Sequence, residues 1–305
     1  MAGVCYAGPE PFIDLIRRTR PLKRHLSRVF VVLLSCSSLT AAAQNASSSV
    51  PPQVAGAAKT QLTWYGHAAF KLVTPSGKVI LIDPWITNPL NPSGKQDLAD
   101  LKSVDLMLIS HGHFDHVGDA VEIAKRTKAR LVTSFDQAQA YARYLGFPAD
   151  HFGFDSVGNV GGILSFFDGE VKVTFVNAIH GSTLTAKEKG GDVPYPAGNP
   201  MGFVIAVRNG PTIYHTGDTD AFTDMQLLKS MKITLMLACI GDHFTMGPER
   251  AAEAVALAQP VKVAPMHYGT FPVLTGTPAE FAAALKAKDL LLRYQSLQLH
   301  ETLDL

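Results

Sequence analysis

The sequence predicts an α/β fold in four layers, αββα, with two β-sheets packed face to face and helices covering both outer faces. Three observations carry this expectation. Short apolar runs of strand length come first, strand–helix units follow them, and the same succession returns in the second half of the chain.

In chain order, residues 1–43 come first. Six basic residues (Arg17, Arg18, Arg20, Lys23, Arg24 and Arg28) precede the apolar run Val29-Phe30-Val31-Val32-Leu33-Leu34, and Ala41-Ala42-Ala43 follows it. A basic start, a short apolar run and small residues at a cleavage point mark a signal peptide, which predicts an exported protein, periplasmic or secreted. The run is shorter than the roughly 20 apolar residues of a membrane-spanning helix, so no transmembrane span is expected in the mature chain. Leu33-Leu34-Ser35-Cys36 also resembles a lipoprotein cleavage box; used in that way, Cys36 would carry a lipid anchor at a membrane surface. Residues 44–60 are small, polar and interrupted by Pro51-Pro52, and read as a flexible linker before a folded domain over 61–305.

Within that domain, Leu62–Tyr65, Ala69–Val73 and Val79–Ile82 are strand-like, the last two joined by the turn Thr74-Pro75-Ser76-Gly77-Lys78. The run Asp105–Ser110 continues the strands, Ala120–Arg126 has helical spacing, Leu131–Thr133 is a short strand and Asp136–Leu145 a helix. The second half opens with strands over Gly162–Phe166, Val171–Val176, Gly202–Arg208 and Thr212–His215. A helical stretch Met225–Lys232, a buried strand Thr234–Ile240 and an amphipathic helix Pro248–Ala258 follow, and Val261–Met266 with Pro278–Lys288 completes the pattern.

The chain has 305 residues, 47% hydrophobic and 17% charged, with a formal net charge of +1. Of its 27 Lys+Arg and 26 Asp+Glu, six and two (Glu10, Asp14) fall in residues 1–43, so the remainder carries 21 basic against 24 acidic residues, net −3. A mildly acidic domain without a Gly-rich phosphate loop argues against a nucleic-acid partner and leaves a small-molecule substrate. Nothing in the pattern fixes an oligomeric state. Of the three cysteines, Cys5 and Cys36 lie in the leader, which leaves Cys239 alone. It cannot close an internal disulfide, and within Leu235–Ile240 it reads as a buried, inert thiol.

The chemistry lies in His111-Gly112-His113-Phe114-Asp115-His116, a run that follows a strand and opens a helix. Residues two apart in an extended segment project to the same side, so His111 and His113 can share one metal ion. The chain turns at the helix start, which lets Asp115 and His116 face a second site. Three imidazoles and a carboxylate crowded together without a cation would suffer desolvation and mutual repulsion. A dinuclear site needs further ligands just past strand ends, and His180, Asp218 and His267 all stand there.

The order HxHxDH, then His, then Asp in Gly217-Asp218-Thr219, then His, resembles the ligand pattern of the metallo-β-lactamase superfamily. Trp64-Tyr65-Gly66-His67-Ala68-Ala69-Phe70, Asp242-His243-Phe244-Thr245-Met246-Gly247-Pro248 and Pro265-Met266-His267-Tyr268-Gly269-Thr270-Phe271-Pro272 further resemble its small metal-dependent hydrolases of the UPF0173 type, related to ascorbate-6-phosphate lactonase. The resemblance implies a sandwich with the site on one edge. It gives His111, His113 and His180 to a first metal, Asp115, His116 and His267 to a second, and Asp218 to both. Two divalent ions are implied; zinc suits the imidazole-rich set, with manganese, nickel and iron as the alternatives seen in relatives. The redox-iron branch carries a Glu where His113 stands, which argues against an oxidoreductase.

The function so implied is hydrolysis of an ester, lactone or amide bond by a hydroxide held between the two ions. Asp115 is the catalytic candidate, orienting that hydroxide or moving its proton to the leaving group. A phosphodiesterase of the same fold is the alternative, and a metal-binding protein without catalysis a third reading. His67 and His243 are candidates to donate to a substrate oxyanion or to orient a ligand, His215, just before the Asp218 loop, to stand behind the ligands, and Asp83 to orient a ligand His or a turn. Tyr65, Trp85, Phe244 and Phe271 either line a pocket or simply pack, and His25, His151 and His300 read as surface residues.

Overall fold

The computed structural model describes residues 59–305; the expected signal peptide, Cys36 and residues 44–58 of the expected linker lie outside the described residues. Thr60 belongs to the fold and not to a linker, since it is 1% exposed and its carbonyl accepts the Leu305 N–H at 2.8 Å.

β1 (Gln61–Trp64), β2 (Phe70–Val73) and β3 (Val79–Ile82) pair antiparallel. Helix α1 (Gly94–Asp100) leads to β4 (Leu106–Leu108), which lies parallel to β3. Past α2 (Phe114–Val117) and α3 (Ala120–Thr127), β5 (Arg130–Ser134) adds parallel to β4. α4 (Phe135–Ala140) continues as a π-helical turn over Tyr141–Leu145 and precedes the edge strand β6 (Val157–Gly158).

The second half repeats the plan. β7 (Ile163–Phe166) and β8 (Val171–Asn177) are antiparallel, and a separate hairpin of β9 (Thr183–Glu188) and β10 (Gly191–Pro196) follows. β11 (Met201–Val207) lies antiparallel between β8 and β12 (Thr212–His215). β13 (Leu235–Cys239), helix α5 (Pro248–Ala258) and β14 (Lys262–Met266) extend the sheet in parallel from β12. Helix α6 (Pro278–Ala287) starts on a capping box, Thr277 and Glu280 each bonding the other's backbone N–H. β15 (Thr302–Asp304) then crosses back to β1. The strand orders are β15-β1-β2-β3-β4-β5-β6 and β14-β13-β12-β11-β8-β7.

Alternation along the strands builds the layers. Ile80, Ile82, Leu106, Leu108 and Val132 point to one side of the first sheet and join Phe175, Phe203 and Ile213 of the second in one core. Leu81, Met107, Ile109 and Leu131 point to the other side, against Leu98, Ile123, Ala124 and Ala138 of the outer helices. Both faces being covered explains the continuous apolar runs. Each large side chain fully buried there contributes about 1.5–3 kcal/mol.

Several elements differ from expectation. The hairpin β9–β10, the short strands β6 and β15 and helix α1 carry no element in the sequence reading, and Thr223–Met231 winds as 3₁₀ turns. His151 is not a free surface residue, with 12% of its side chain exposed. His300 is bonded at 3.0 Å to Asn91 Oδ1 and at 2.9 Å to Asp97 Oδ2. Among the described residues, no helix is long and apolar enough to cross a membrane.

Candidate metal centre

The parallel strands of both sheets end at one edge of the sandwich, and the loops beyond them converge there. The β4–α2 loop and the first turn of α2 carry His111, His113, Asp115 and His116; His180 follows β8, Asp218 follows β12 and His267 follows β14. Gly217 allows the third of these loops to exist. It sits at φ +60°, and a Cβ there would lie 2.5 Å from the Met201 carbonyl oxygen. His267 takes a left-handed backbone at φ 58°, as does His67 at φ 50° in the β1–β2 loop. The His267 N–H donates to the His67 carbonyl at 3.0 Å, and the two rings lie 3.8 Å apart.

All seven expected ligands come together. Their donor atoms, with one addition, form two sets whose members lie within 4.8 Å of one another: His111, His113, His180 and Asp218; and His67, Asp115, His116 and His267. Asp218 faces both. Its Oδ2 is 3.5 Å from His180 Nε2 and 3.0 Å from His267 Nε2, and its Oδ1 is 3.2 Å from His116 Nε2. His113 Nδ1 lies 2.9 Å from His111 Nε2 and 3.2 Å from His180 Nε2. Two nitrogens bound tetrahedrally to one zinc at about 2.1 Å would stand about 3.4 Å apart, close to this spacing.

Unpartnered atoms argue for a cation at the second set, next to Asp218. His116 Nε2, both ring nitrogens of His267 and Asp218 Oδ1 are buried without a hydrogen bond. His116 Nε2 and Asp218 Oδ1 are near each other yet lack hydrogen-bond geometry, so both are free to face a common space. Leaving such atoms unpaired costs about 1–3 kcal/mol each, and one divalent ion would satisfy His116 Nε2, His267 Nε2 and Asp218 Oδ1 together.

The electrostatics agree. Burial lowers the pKa of His111, His113 and His180, which keeps these imidazoles neutral and available as ligands. In the second set, burial opposes charge, but Asp218 and Asp83 push His116 well above its ordinary value. Against the same burial, Asp218 and Asp115 bring His267 to about 9. Burial works against the charged form of Asp218 and Asp115 too, yet the neighbouring histidines hold both carboxyls below their usual range. Two ionised carboxylates buried at one spot call for positive charge, supplied by protons on His116 and His267 when no metal is bound.

Asp83 orients ligands of both sets, as the sequence suggested for one. Its Oδ1 accepts the Ser110 N–H at 2.7 Å, and its Oδ2 accepts the Ser110 hydroxyl at 2.6 Å and His116 Nδ1–H at 2.7 Å. With the Ser110 hydroxyl committed to Asp83, His111 Nδ1–H donates to Ser110 Oγ at 3.0 Å. The network therefore assigns both rings the tautomer that leaves Nε2 free for a metal. His215 lies beside the Asp218 loop. Its Nδ1 accepts the Gly217 N–H at 3.2 Å, so Nε2 carries the proton and donates to the Ala68 carbonyl at 3.0 Å. Burial keeps the ring neutral, which suits that role.

His67 enters the site more deeply than the sequence showed. Burial and the nearby His267 lower its pKa to about 4, so it is neutral and has one N–H. Ionised Asp115 accepts that proton from Nε2 at 3.0 Å, and the Thr270 hydroxyl donates to Nδ1 at 2.8 Å. His67 thus holds Asp115. His243 is in neither set: Asp242 and His243, at φ 64° and 58°, form a turn that leaves the ring exposed against Phe244. Among the described residues it has no hydrogen bond to either set. Cys239 is buried and burial pushes its thiol up to about 11, in keeping with an inert role. Ser110 and Thr270 carry no weight in the sequence reading, although a hydroxyl directly before His111 was a usable signal.

Comparison with known proteins agrees with this geometry. Residues 78–268 match the family described as Beta-lactamase superfamily domain. A UPF0173 metal-dependent hydrolase of Thermodesulfovibrio yellowstonii is 48% identical over 250 residues, covering 82% of this chain and 93% of the relative. One of Anaeromyxobacter dehalogenans is 53% identical over 233 residues, covering 75% and 82%. Among solved structures, Igni18, a metallo hydrolase of the archaeon Ignicoccus hospitalis, superposes with a TM-score of 0.69 at 32% identity, covering 81% of this chain and 98% of that one.

Proposed function

The chain belongs to the beta-lactamase superfamily, in the family of the UPF0173 metal-dependent hydrolases, and on that premise we propose that it cleaves an ester, lactone or amide bond at two zinc ions. The observation that carries the reading is the pair of four-residue ligand sets joined through Asp218, with buried nitrogens and an oxygen left unpartnered between them. His111, His113 and His180 would hold the first ion, Asp115, His116 and His267 the second, and Asp218 both. Ions so held would supply Lewis acidity, easing the deprotonation of a water near neutral pH and polarising the oxygen of the bond to be cut.

The chain's own residues do the rest. Asp115, 13% exposed, is the carboxylate of the centre most open to solvent; ionised, it would take the proton given up by the attacking water and hand it to the leaving group. The His67 N–H holds Asp115 Oδ2 and so fixes the orientation of the carboxylate. Asp83, through Ser110 and His116, keeps a ligand of each ion in register.

The test has two parts. Metal analysis of the purified protein should find close to two ions per chain, and none under metal-replete conditions would overturn the proposal. The zinc-loaded enzyme should turn over members of a lactone and ester panel. Turnover of bis-(p-nitrophenyl) phosphate alone would instead establish the phosphodiesterase reading. His113→Ala and Asp218→Ala should abolish the activity, and unchanged turnover in both would refute the site.

A further inference from the structure

Three aromatic rings flank the centre, and the hydrolysis described above uses none of them. Phe114 stands between His113 and Asp115, Trp85 follows Asp83-Pro84, and Phe271 belongs to the loop after His267. Trp85 and Phe271 stack at 5.8 Å and 22°; Phe114 meets Trp85 edge-on at 5.6 Å and Phe271 at 6.1 Å. The wall reaches the centre through His67, whose ring lies 5.3 Å from Trp85 and 6.0 Å from Phe271. It is braced from behind, because a Cβ on Gly118 would lie 2.6 Å from the Trp85 side chain, so the indole rests flush on the end of α2.

Packing alone does not account for Phe114. The ring is 61% exposed, so it withdraws little of its surface from water. An apolar ring held out beside a reactive centre, by two partners that fix its position in advance, is a binding surface. Charge indicates what binds there. Among the described residues, the ion pairs of Asp83, Asp115 and Asp218 are all with histidines, and no Lys or Arg joins them. A substrate bearing its own phosphate or carboxylate would find no side-chain counter-charge beside these carboxylates.

We propose that Trp85, Phe114 and Phe271 form a specificity wall that receives the aromatic or branched apolar group of a neutral ester or lactone. The inference rests on the ester and lactone reading of the site and names its substrate class. The three rings supply area and shape at little entropic cost, since each has only two rotatable bonds and is already held.

The test compares 2-phenylacetohydroxamate with acetohydroxamate, which chelate zinc through the same group, on the full zinc-loaded chain. Binding is followed by the fluorescence of its two tryptophans, one of them Trp85. The phenyl compound should bind about tenfold more tightly, the scale of one well-made aromatic contact. Phe114→Ala and Phe271→Ala should each reduce that preference to about twofold or less, with acetohydroxamate affinity and metal content unchanged. The kcat/KM preference for γ-phenyl-γ-butyrolactone over γ-valerolactone should fall in parallel. Equal binding of the two hydroxamates, or a preference that survives both substitutions, overturns the wall. A wall-dependent preference in an enzyme that cleaves only phosphodiesters upholds the wall and refutes the ester reading.

Discussion

Asp83→Asn removes one charge from behind the metal centre while changing almost no volume. The position has φ 42°, a left-handed backbone that Asn adopts as readily as Asp, so backbone strain does not confuse the result. The carboxylate accepts from three donors: the Ser110 N–H, the Ser110 hydroxyl and His116 Nδ1–H. An amide has one oxygen and cannot satisfy both sides. If its oxygen faces His116 and the hydroxyl, its NH₂ confronts the Ser110 N–H. If it faces the Ser110 N–H, its NH₂ confronts His116 Nδ1 and drives that proton to Nε2, where it blocks metal binding. Loss of such an orienting carboxylate costs about 10–100-fold in metal affinity, or roughly 1.4–2.7 kcal/mol. Because Asp83 also steers His111 through Ser110, both sites should weaken, the His116 site more. Competition against a chromogenic zinc chelator, fitted to two sites, reads both constants. Two constants within twofold of the wild type, in a protein of unchanged circular dichroism, would refute the argument.

Other predictions follow from the same geometry. His67→Gln should retain two ions per chain, because His67 holds Asp115 and does not itself ligate, yet kcat should fall by about 10–100-fold; loss of an ion on metal analysis would instead make His67 a ligand. In chelator-stripped protein, His267, raised from 6.5 to about 9, contributes stability that is complete below pH 6.5 and fades as pH rises through 9. His67, lowered to about 4, contributes stability present above pH 6.5 and lost as pH falls toward 4. Urea midpoints of stripped protein should therefore peak near pH 6.5, and zinc, by replacing those protons, should flatten the alkaline decline; identical alkaline limbs with and without zinc would contradict this. Gly217→Ala should cost about 2–4 kcal/mol in denaturant unfolding, from the left-handed backbone and the clash with the Met201 carbonyl. A loss under about 0.5 kcal/mol would show that the loop can move aside.

Much of this was legible in the chain because the site sits on regular elements. The residues that end β4, β8, β12 and β14 stand just before the donors, so apolar runs located the ligand positions. What escaped depends on contacts distant in sequence. His67 belongs to the centre because the β1–β2 loop meets the β14 loop some 200 residues on, a pairing that no local period encodes. The β9–β10 hairpin did have a signal, Gly190-Gly191 between alternating segments, but Pro194 and Pro196 interrupt its second strand. Such prolines suit an exposed edge and mask the strand from propensity.

The sheet orders have one more consequence. The first set takes His111 and His113 from the first half of the chain and His180 and Asp218 from the second, while the other takes three residues from the first and His267 from the second. An ion held by either set would thus rivet the two halves together. A chain severed between β6 and β7 would yield two pieces with no complete site in either, whose reassembly the proposed metal would govern. The same property makes the enzyme a candidate for metal-gated fragment complementation, with recovered turnover as the reporter.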